Sequence, residues 1–316
     1  MRIVFLGTPD FAVPSLETLI HSDYQVVGVV TAPDKPAGRG LQVKSSPVKE
    51  CAIRHGIPVL QPEKLRDPEF HDQLKALKAD IQIVVAFRML PESVWKMPPM
   101  GTWNLHASLL PQYRGAAPIN HAIINGERFS GITTFKLVHQ IDEGAIALQL
   151  PMPLGVNETA GELHDRMMLA GGQLLLTTLR ALQNGNLQLI PQEKVETRQL
   201  KHAPKLNPEF NRINWNKPTA EVHNHIRGLS PYPTAHTILT NGTEEFSVKI
   251  FSGIPFSGDL PHENAGTLRV TEGFELLCAT ADGWYSVLEL QQSGKKRLII
   301  KDFLLGFRKT GAEMFY

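Results

Sequence analysis

The hydrophobic pattern of the first half of the chain alternates between short apolar runs and amphipathic segments. Compact or alternating apolar runs are typical of buried strands, and apolar residues at helical spacing indicate helices packed against them. The strand-like runs cover residues 2–7, 24–31, 57–60, 80–87, 102–106, 131–137 and 145–150. Helical patterns cover residues 11–21, 47–55, 68–77 and 119–124. Strands that alternate with helices predict an α/β, Rossmann-like domain with a mostly parallel sheet.

The second half of the chain has a different hydrophobic pattern. A helical pattern at residues 158–184 carries leucine and methionine on one face, and the stretch 191–206 then loses periodicity, so we interpret it as a linker. One further helix pattern precedes several short strand patterns separated by Gly, Asn and Asp, which is typical of a small β-barrel. We therefore expect a sheet domain at residues 1–190, a linker at 191–206 and a smaller, OB-like β-barrel domain at 207–316.

Composition narrows the class of protein. The 316 residues are 42% hydrophobic, which suits two domains with proper cores, and the net charge of +1 gives no general attraction to nucleic acid. The two cysteines support neither a disulfide framework nor a thiolate metal site, and no HExxH-type spacing is present, so we expect no metal and a reducing cytoplasm. The apolar runs are too short for a membrane span, and we expect a monomer with no membrane association.

Candidate chemistry lies on the strand at residues 102–106. Asn104 and His106 are two residues apart, so their side chains share one face of that strand. The strand ends before a tight loop and a helix, where open α/β sheets bind their ligands. Asp142 lies in a turn between two predicted strands and could reach His106 if those strands are neighbours.

These residue types suit acyl transfer to an amine. An imidazole can move a proton, an amide can stabilise a developing oxyanion, and a carboxylate can orient the imidazole. No activated serine or cysteine nucleophile is evident, so direct attack by the amine of a substrate is the simpler mechanism. Alone, an Asn-x-His pair on a strand is more often a structural pair with satisfied hydrogen bonds.

The longer string NLHASLLPQYRGAAPI, followed by IDEG, resembles the signature of the folate-dependent formyltransferases. The resemblance implies that Asn104, His106 and Asp142 are catalytic and that the formyl donor is 10-formyltetrahydrofolate. It implies that the donor is bound by Ser108, Leu109, Leu110 and Pro111, and by the loop of Phe87, Arg88, Met89 and Leu90. Three positions depart from the usual family pattern, and they are Arg88, His139 and Ala145.

The resemblance also bears on the acceptor. IRGLSPYPTAHT is similar to the carboxy-terminal domain of the family, and the basic loop PDKPAGRG is similar to the family loop that reaches the acceptor end of initiator tRNA. Composition alone favours a solvated loop there. The resemblance implies formyl transfer to the α-amino group of initiator methionyl-tRNA, for translation initiation, through a tetrahedral intermediate. The residues in and just after this loop that are expected to bind tRNA are Lys35, Arg39 and Lys44. A local cluster of positive charge in the second domain is either a solvated face or a contact for the tRNA backbone, and its residues are Lys295, Lys296 and Arg297.

Other functions stay open at this point. Formyl transfer to a small amine, such as a purine precursor or an amino sugar, and hydrolysis of the formyl donor need a similar set of catalytic side chains. A catalytically silent RNA-binding module with the same fold is the alternative outside enzymes.

Overall fold

The structure is a computed structural model that describes residues 1–37, 42–194, 199–240, 242, 244–307 and 313–316. The chain forms two compact units, and neither is continuous in sequence. The first contains residues 1–115, 131–152 and 164–202, and the second contains residues 116–130, 153–163 and 203–316. The hydrophobic pattern predicts a single boundary within residues 191–206, whereas two earlier segments belong to the second unit.

The elements of the described chain follow the predicted alternation. The helices are α1 (Val13–Ile20), α2 (Pro47–Arg54), α3 (Pro68–Ala76), α4 (Glu92–Trp95), α5 (Pro118–Ile124), α6 (Ala160–Gln183), α7 (Thr219–Leu229) and α8 (Ile300–Leu305), with 3-10 turns at Asp10–Ala12 and Gln192–Lys194. The strands are β1 (Arg2–Gly7), β2 (Gln25–Val30), β3 (Lys35–Ala37), β4 (Gln42–Lys44), β5 (Val59–Leu60), β6 (Ile81–Val85), β7 (Thr102–His106), β8 (Arg114–Gly115), β9 (Phe129–Lys136), β10 (Ile146–Pro153), β11 (His202–Ala203), β12 (Ala235–Thr240), β13 (Glu245–Phe256), β14 (Leu268–Val270), β15 (Leu276–Ala279), β16 (Trp284–Gln292), β17 (Leu298–Ile299) and β18 (Met314–Phe315).

The first unit is built on a seven-stranded sheet with the order β10-β9-β7-β6-β1-β2-β5. Strands β7, β6, β1, β2 and β5 pair in parallel, and β9 joins β7 in the antiparallel direction. β1 lies inside the sheet, and residues on both of its faces are buried, as is typical of parallel sheets. The mostly parallel sheet predicted from the sequence is thus confirmed.

Local sequence signals explain where helices of this unit begin. Ser46 accepts a hydrogen bond from the backbone amide of Lys49 (3.1 Å) at the start of α2, and Asp67 accepts one from the amide of Glu69 (3.1 Å) at the start of α3. A proline follows each capping residue, where its missing N–H costs nothing. The helix predicted at residues 47–55 is therefore confirmed as α2.

The second unit contains an antiparallel sheet with the order β14-β15-β16-β13-β12-β18, and β17 pairs with β16. A bridge between Thr267 and Met314 joins the two outer strands, so the sheet is nearly closed into a barrel. Gly266 sits at this closure with φ +91°, and a side chain there would collide with the carbonyl oxygen of Phe315. The β-barrel predicted for the second half is confirmed.

Helices α5 and α7 pack against each other in the second unit. The Asn120 amide donates a hydrogen bond to the carbonyl oxygen of Gly228 (2.8 Å), and a side chain at Gly228 would press on Ile124. The barrel core beneath contains Ile226 and Tyr285, both fully buried. Among the described helices, none has the length and apolar character that a membrane crossing requires.

Candidate active site

Asn104 and His106 lie at the carboxyl end of β7, on the same face of the strand. β7 is held between parallel β6 and antiparallel β9, where His106 is paired in register with Thr133. The side chain of Asn104 is partly exposed and makes no hydrogen bond to another described residue. Its amide is therefore available to an external group.

The ring of His106 is buried, and each of its nitrogens faces an oxygen atom. Nε2 lies 2.9 Å from the carbonyl oxygen of Tyr113. Because a carbonyl only accepts, Nε2 carries the hydrogen of this bond. Nδ1 faces Oδ2 of Asp142 at 3.8 Å, and both side chains are at most 13% exposed. The structure thus brings His106 and Asp142 together, across β7 and the turn between β9 and β10.

The turn that carries Asp142 has a constrained backbone. Asp142 adopts a left-handed conformation with φ +55°, which aspartate tolerates better than most residues. Two residues later, any side chain at Gly144 would collide with the carbonyl oxygen of Lys136. Oδ2 of Asp142 also accepts a hydrogen bond from the amide of Gly115 (3.1 Å). These contacts fix the carboxylate beside His106.

The backbone groups that hold the site have no signature in the sequence. Tyr113 bonds to His106 through its backbone carbonyl, and Gly115 bonds to Asp142 through its backbone amide. Nearly every residue has these groups, so the residue types at 113 and 115 do not indicate the contacts. Gln192, which lies in the predicted linker, donates hydrogen bonds to the carbonyl oxygens of Asp142 and Gly144, both at 2.8 Å. A contact between residues fifty positions apart has no local sequence signature.

The loop after β7, which is expected to bind the formyl donor, is held by buried side chains and internal hydrogen bonds. Ser108 is fully buried and donates to the carbonyl oxygen of Gln112 (2.6 Å), while Leu110 packs with Phe135. Thr133 donates to the carbonyl oxygen of Ser108 (2.6 Å) and accepts from the amide of Leu110 (3.2 Å). Pro111 is buried, whereas Leu109 is partly exposed. The side chains of Ser108 and Leu110 therefore point into the protein. A ligand would contact the main chain of this loop and the side chain of Leu109.

The second expected donor loop, after β6, has a different character. Phe87 and Leu90 pack partly on the sheet core, and Met89 is 76% exposed. Arg88 donates to the carbonyl oxygens of Glu63 (2.9 Å) and Pro62, so this departure from the family pattern ties two loops together. Met89, Leu90 and Arg88 line an open cavity of about 340 Å³ together with Lys64, Leu65, Arg66 and Pro91.

The expected tRNA-binding cations lie in two places, one in each unit. Lys35 and Lys44 are exposed and face each other in the β3–β4 hairpin of the first unit. Neither pairs with a carboxylate in the described part of the chain, because the neighbouring Asp34 pairs with Lys49. Arg39 lies outside the described residues.

The second cationic site is the turn between β16 and β17. Lys295 and Lys296 are exposed there. Arg297 forms a bidentate ion pair with Glu289 and stacks over the ring of Phe251 at 4.0 Å. Its guanidinium is thus already engaged by the barrel, which distinguishes it from the two lysines.

Potential metal ligands gather once among the described residues, away from β7. Ligand atoms of Glu17, Cys51 and His55 lie within 4.8 Å of one another. The Glu17 carboxylate pairs there with Arg54 (3.2 Å), and burial raises the pKa of the Cys51 thiol, which disfavours the thiolate that binds metals. These contacts disfavour a cation at that position.

The geometry at β7 defines what the site can do. Asn104 and His106 share one face at the carboxyl end of β7, Nε2 of His106 is bonded to the carbonyl oxygen of Tyr113, and Nδ1 faces the Asp142 carboxylate. Such a set can stabilise an oxyanion and move protons without a protein nucleophile.

Comparison with known proteins assigns the chain to a class. The model of the formyl transferase family matches residues 1–179, and that of the formyl transferase C-terminal domain matches residues 205–308. The chain belongs to the formyl transferase family. Among its relatives, the methionyl-tRNA formyltransferase of Bacteroides fragilis is 51% identical over 317 aligned residues, which cover 99% of this chain and 97% of the relative. The methionyl-tRNA formyltransferase of Bacteroides thetaiotaomicron is 50% identical over 313 residues, with 98% and 96% covered.

Solved structures share the fold at lower identity. The sugar 3N-formyltransferase WlaRD, crystallised in the presence of dTDP and 5-N-formyl-THF, superposes with a TM-score of 0.65 at 18% identity, covering 94% of this chain and 99% of WlaRD. HypX from Aquifex aeolicus in complex with tetrahydrofolic acid gives a TM-score of 0.61 at 19% identity, covering 97% of this chain and 47% of HypX. At these identities the likeness supports the fold only.

Proposed function

We propose that this chain is a methionyl-tRNA formyltransferase, which transfers a formyl group from 10-formyltetrahydrofolate to the α-amino group of initiator methionyl-tRNA for translation initiation. The observation that carries the proposal is the identity of 51% to a relative of that name, over 99% of this chain and 97% of the relative. The likeness therefore spans both units, including the barrel.

In the proposed reaction, 10-formyltetrahydrofolate supplies the formyl group, and the chain binds and orients both substrates. The amine of the methionyl group attacks the formyl carbon, and a C–N bond forms. Asn104 donates a hydrogen bond to the oxygen as it becomes negative, because its amide makes no competing hydrogen bond to any described residue. When the tetrahedral intermediate collapses, the bond from the formyl carbon to the folate nitrogen breaks.

His106 and Asp142 manage the proton balance in this proposal. The attacking nitrogen loses a proton, and the departing folate nitrogen gains one, so the net reaction needs no external acid or base. Asp142 lies 3.8 Å from Nδ1 of His106, which is longer than a direct hydrogen bond and suits a relay through a water molecule. We assign the donor-binding role to the main chain of residues 108–111, to Leu109 and to the loop of residues 87–90.

The β3–β4 hairpin supports an anionic macromolecular partner. Lys35 and Lys44 are directly opposite each other, an arrangement that disfavours the hairpin until a negative charge lies between or beside them. A tRNA phosphate supplies that charge. Lys295 and Lys296 are a separate proposed tRNA contact on the second unit, and Arg297 supports their turn because its guanidinium stacks on Phe251 of the barrel. We propose a cytoplasmic monomer, which size-exclusion chromatography with light scattering tests.

The test is a formylation assay with purified protein. We expect formyl-methionyl-tRNA and tetrahydrofolate to appear in equal amounts with charged initiator tRNA, and slower product formation with charged elongator tRNA. Free methionine, glycinamide ribonucleotide and an amino sugar nucleotide serve as competing acceptors. Efficient formylation of a small amine without any use of methionyl-tRNA would contradict the proposal, and folate release without an acceptor would indicate hydrolysis.

A further inference from the structure

The side chain of Gln192 lies at the centre of a hydrogen-bond network behind Asp142. Gln192 is 3% exposed and sits in the 3-10 turn Gln192–Lys194. Its Nε2 donates to the carbonyl oxygens of Asp142 and Gly144, both at 2.8 Å. Its Oε1 accepts from Nε (2.9 Å) and Nη2 (2.7 Å) of Arg114.

The partners of Gln192 determine which end of its amide points where. Two carbonyl oxygens can only accept, and a guanidinium can only donate, so nitrogen faces the turn and oxygen faces Arg114. Both hydrogens of the amide and both lone pairs are used. Of the side chains of this length, only glutamine provides two donors and an acceptor in this arrangement; glutamate would set an oxygen against two carbonyl oxygens.

Arg114 extends the network to the other side of the turn. Its Nη1 forms an ion pair with Glu143 (2.9 Å), and the amide of the following residue, Gly115, donates to Oδ2 of Asp142 (3.1 Å). The backbone of the turn is thus held by Gln192, and the carboxylate is held by the segment that Arg114 begins. All these groups belong to the first unit.

The turn needs such support because of its conformation. Asp142 has a left-handed backbone, which for residues other than glycine persists when the surroundings enforce it. A small displacement of the turn would change the distance from the carboxylate to Nδ1 of His106, which is 3.8 Å. Misplacement by about 1 Å can cost a hundredfold in rate.

From these contacts we infer that Gln192 is a positioning residue for catalysis: its amide clamps the Asp142 turn and sets the carboxylate at its distance from His106. The kinetic test of this inference rests on the proposed function, because it measures formyl transfer to methionyl-tRNA. Gln192 touches no substrate in this account and acts only through Asp142.

The test compares Gln192→Glu with wild type in the formylation of initiator methionyl-tRNA. The variant keeps the shape and the bond to Arg114 but loses both donors to the turn. We expect kcat to fall about 10- to 100-fold while KM for tRNA changes little. Gln173→Glu, the same change at an exposed position of α6, is the control and is expected to match wild type.

A double-mutant cycle separates positioning from a general loss of structure. In an Asp142→Asn background, Gln192→Glu is expected to lower kcat by less than about threefold, because its effect passes through the carboxylate. Hydrogen–deuterium exchange adds a readout that needs no activity: we expect faster exchange in the peptide spanning residues 139–146 of Gln192→Glu and no change in Gln173→Glu.

The outcomes are distinguishable. If the wild-type protein transfers no formyl group, the proposed function is wrong. The hydrogen–deuterium exchange experiment then tests by itself whether Gln192 holds the Asp142 turn. An active wild type with an equally active Gln192→Glu variant, or losses that multiply fully with Asp142→Asn, overturns the inference. Gln192→Met is the second variant should the glutamate fail to fold; if neither gives folded protein, Gln192 is a folding residue and the inference is wrong.

Discussion

Nδ1 of His106 lies 3.8 Å from Oδ2 of Asp142, and the opposite nitrogen of the same ring is bonded to the carbonyl oxygen of Tyr113 at 2.9 Å. The ring therefore cannot rotate to exchange its nitrogens without losing a buried hydrogen bond. This fixes the side of the imidazole that exchanges protons, and it makes the placement of Asp142 a determinant of rate in the proposed reaction.

Replacing Asn104 tests the stabilisation of the oxyanion. Asn104→Ala is expected to lower kcat about 100- to 1000-fold, the usual loss for one oxyanion donor, with tRNA binding preserved. Because the Asn104 amide bonds to no described residue, the thermal midpoint should not change. Asn186→Ala, at an exposed position, is the matched control. A fully active Asn104→Ala enzyme would remove the residue from the mechanism.

The β3–β4 hairpin predicts a salt-dependent contact with tRNA. The double variant Lys35→Ala, Lys44→Ala should raise KM for methionyl-tRNA and lower the slope of log affinity against log salt concentration by about 2. Turnover at saturating tRNA should be retained, since neither lysine reaches the catalytic trio in our account. Lys75→Ala, at an exposed position of α3, is the control. An unchanged salt slope would show that these lysines do not meet phosphate.

Arg227 stabilises the second unit. It is 7% exposed, and its guanidinium donates to the carbonyl oxygens of Gly155 (3.2 Å) and Glu158 (2.9 Å) and to the Asn224 side chain (2.9 Å). Arg227→Met removes the hydrogen bonds of a buried guanidinium to acceptors that are exposed or partly exposed, and it should lower the free energy of unfolding by about 1–2 kcal/mol.

Urea denaturation measures this change, and Arg128→Met, on the exposed surface of the same unit, is the control. Equal unfolding midpoints for the two variants would mean that the guanidinium bonds add nothing to stability.

Buried histidines make the second unit sensitive to acid. Burial lowers the pKa of His121, His223 and His225 below the ordinary 6.5, because the charged ring is poorly solvated. Above pH 6.5 these rings are neutral in the folded and the unfolded chain. As pH falls from 6.5 toward the lowered pKa values, the unfolded chain binds more protons, and stability decreases by up to about 1.4 kcal/mol per pH unit for each histidine.

Chemical denaturation at a series of pH values checks this dependence. His225→Phe should weaken it, because Nε2 of His225 is buried without a hydrogen-bond partner in the described part of the chain. The same substitution at exposed His262 should leave it unchanged. A flat profile between pH 6.5 and 5 in wild type would contradict the prediction.

Much of the first unit could be predicted because its signals are local. The apolar runs predict the strands, and the helical pattern at residues 47–55 predicts α2, which begins at Pro47 after the Ser46 cap. The contact between His106 and Asp142 depends on a strand direction that the pattern does not predict. β9 pairs with β7 in the antiparallel direction, and this brings the turn after β9 back to the end of β7. The alternation of strands and helices predicts parallel neighbours and gives no hint of this reversal.

Other features could not be read from the sequence because they depend on which core a segment joins. The spacing in α5 predicts a helix, but its packing on α7 places it with the second unit. Gln192 lies where periodicity is lost, and its partners are backbone carbonyls that carry no residue identity. The role of Arg88 also emerged only from its bonds to the carbonyl oxygens of residues 62 and 63.

A single-turnover experiment tests the central claim, that the site at β7 passes a formyl group directly to methionyl-tRNA. Enzyme in excess over charged initiator tRNA is mixed with saturating 10-formyltetrahydrofolate, and formyl-methionyl-tRNA is measured over time for wild type and His106→Ala. We predict one product per tRNA in wild type and a rate constant about 100- to 1000-fold lower in the variant at equal tRNA occupancy. Equal rate constants for the two proteins would contradict the account.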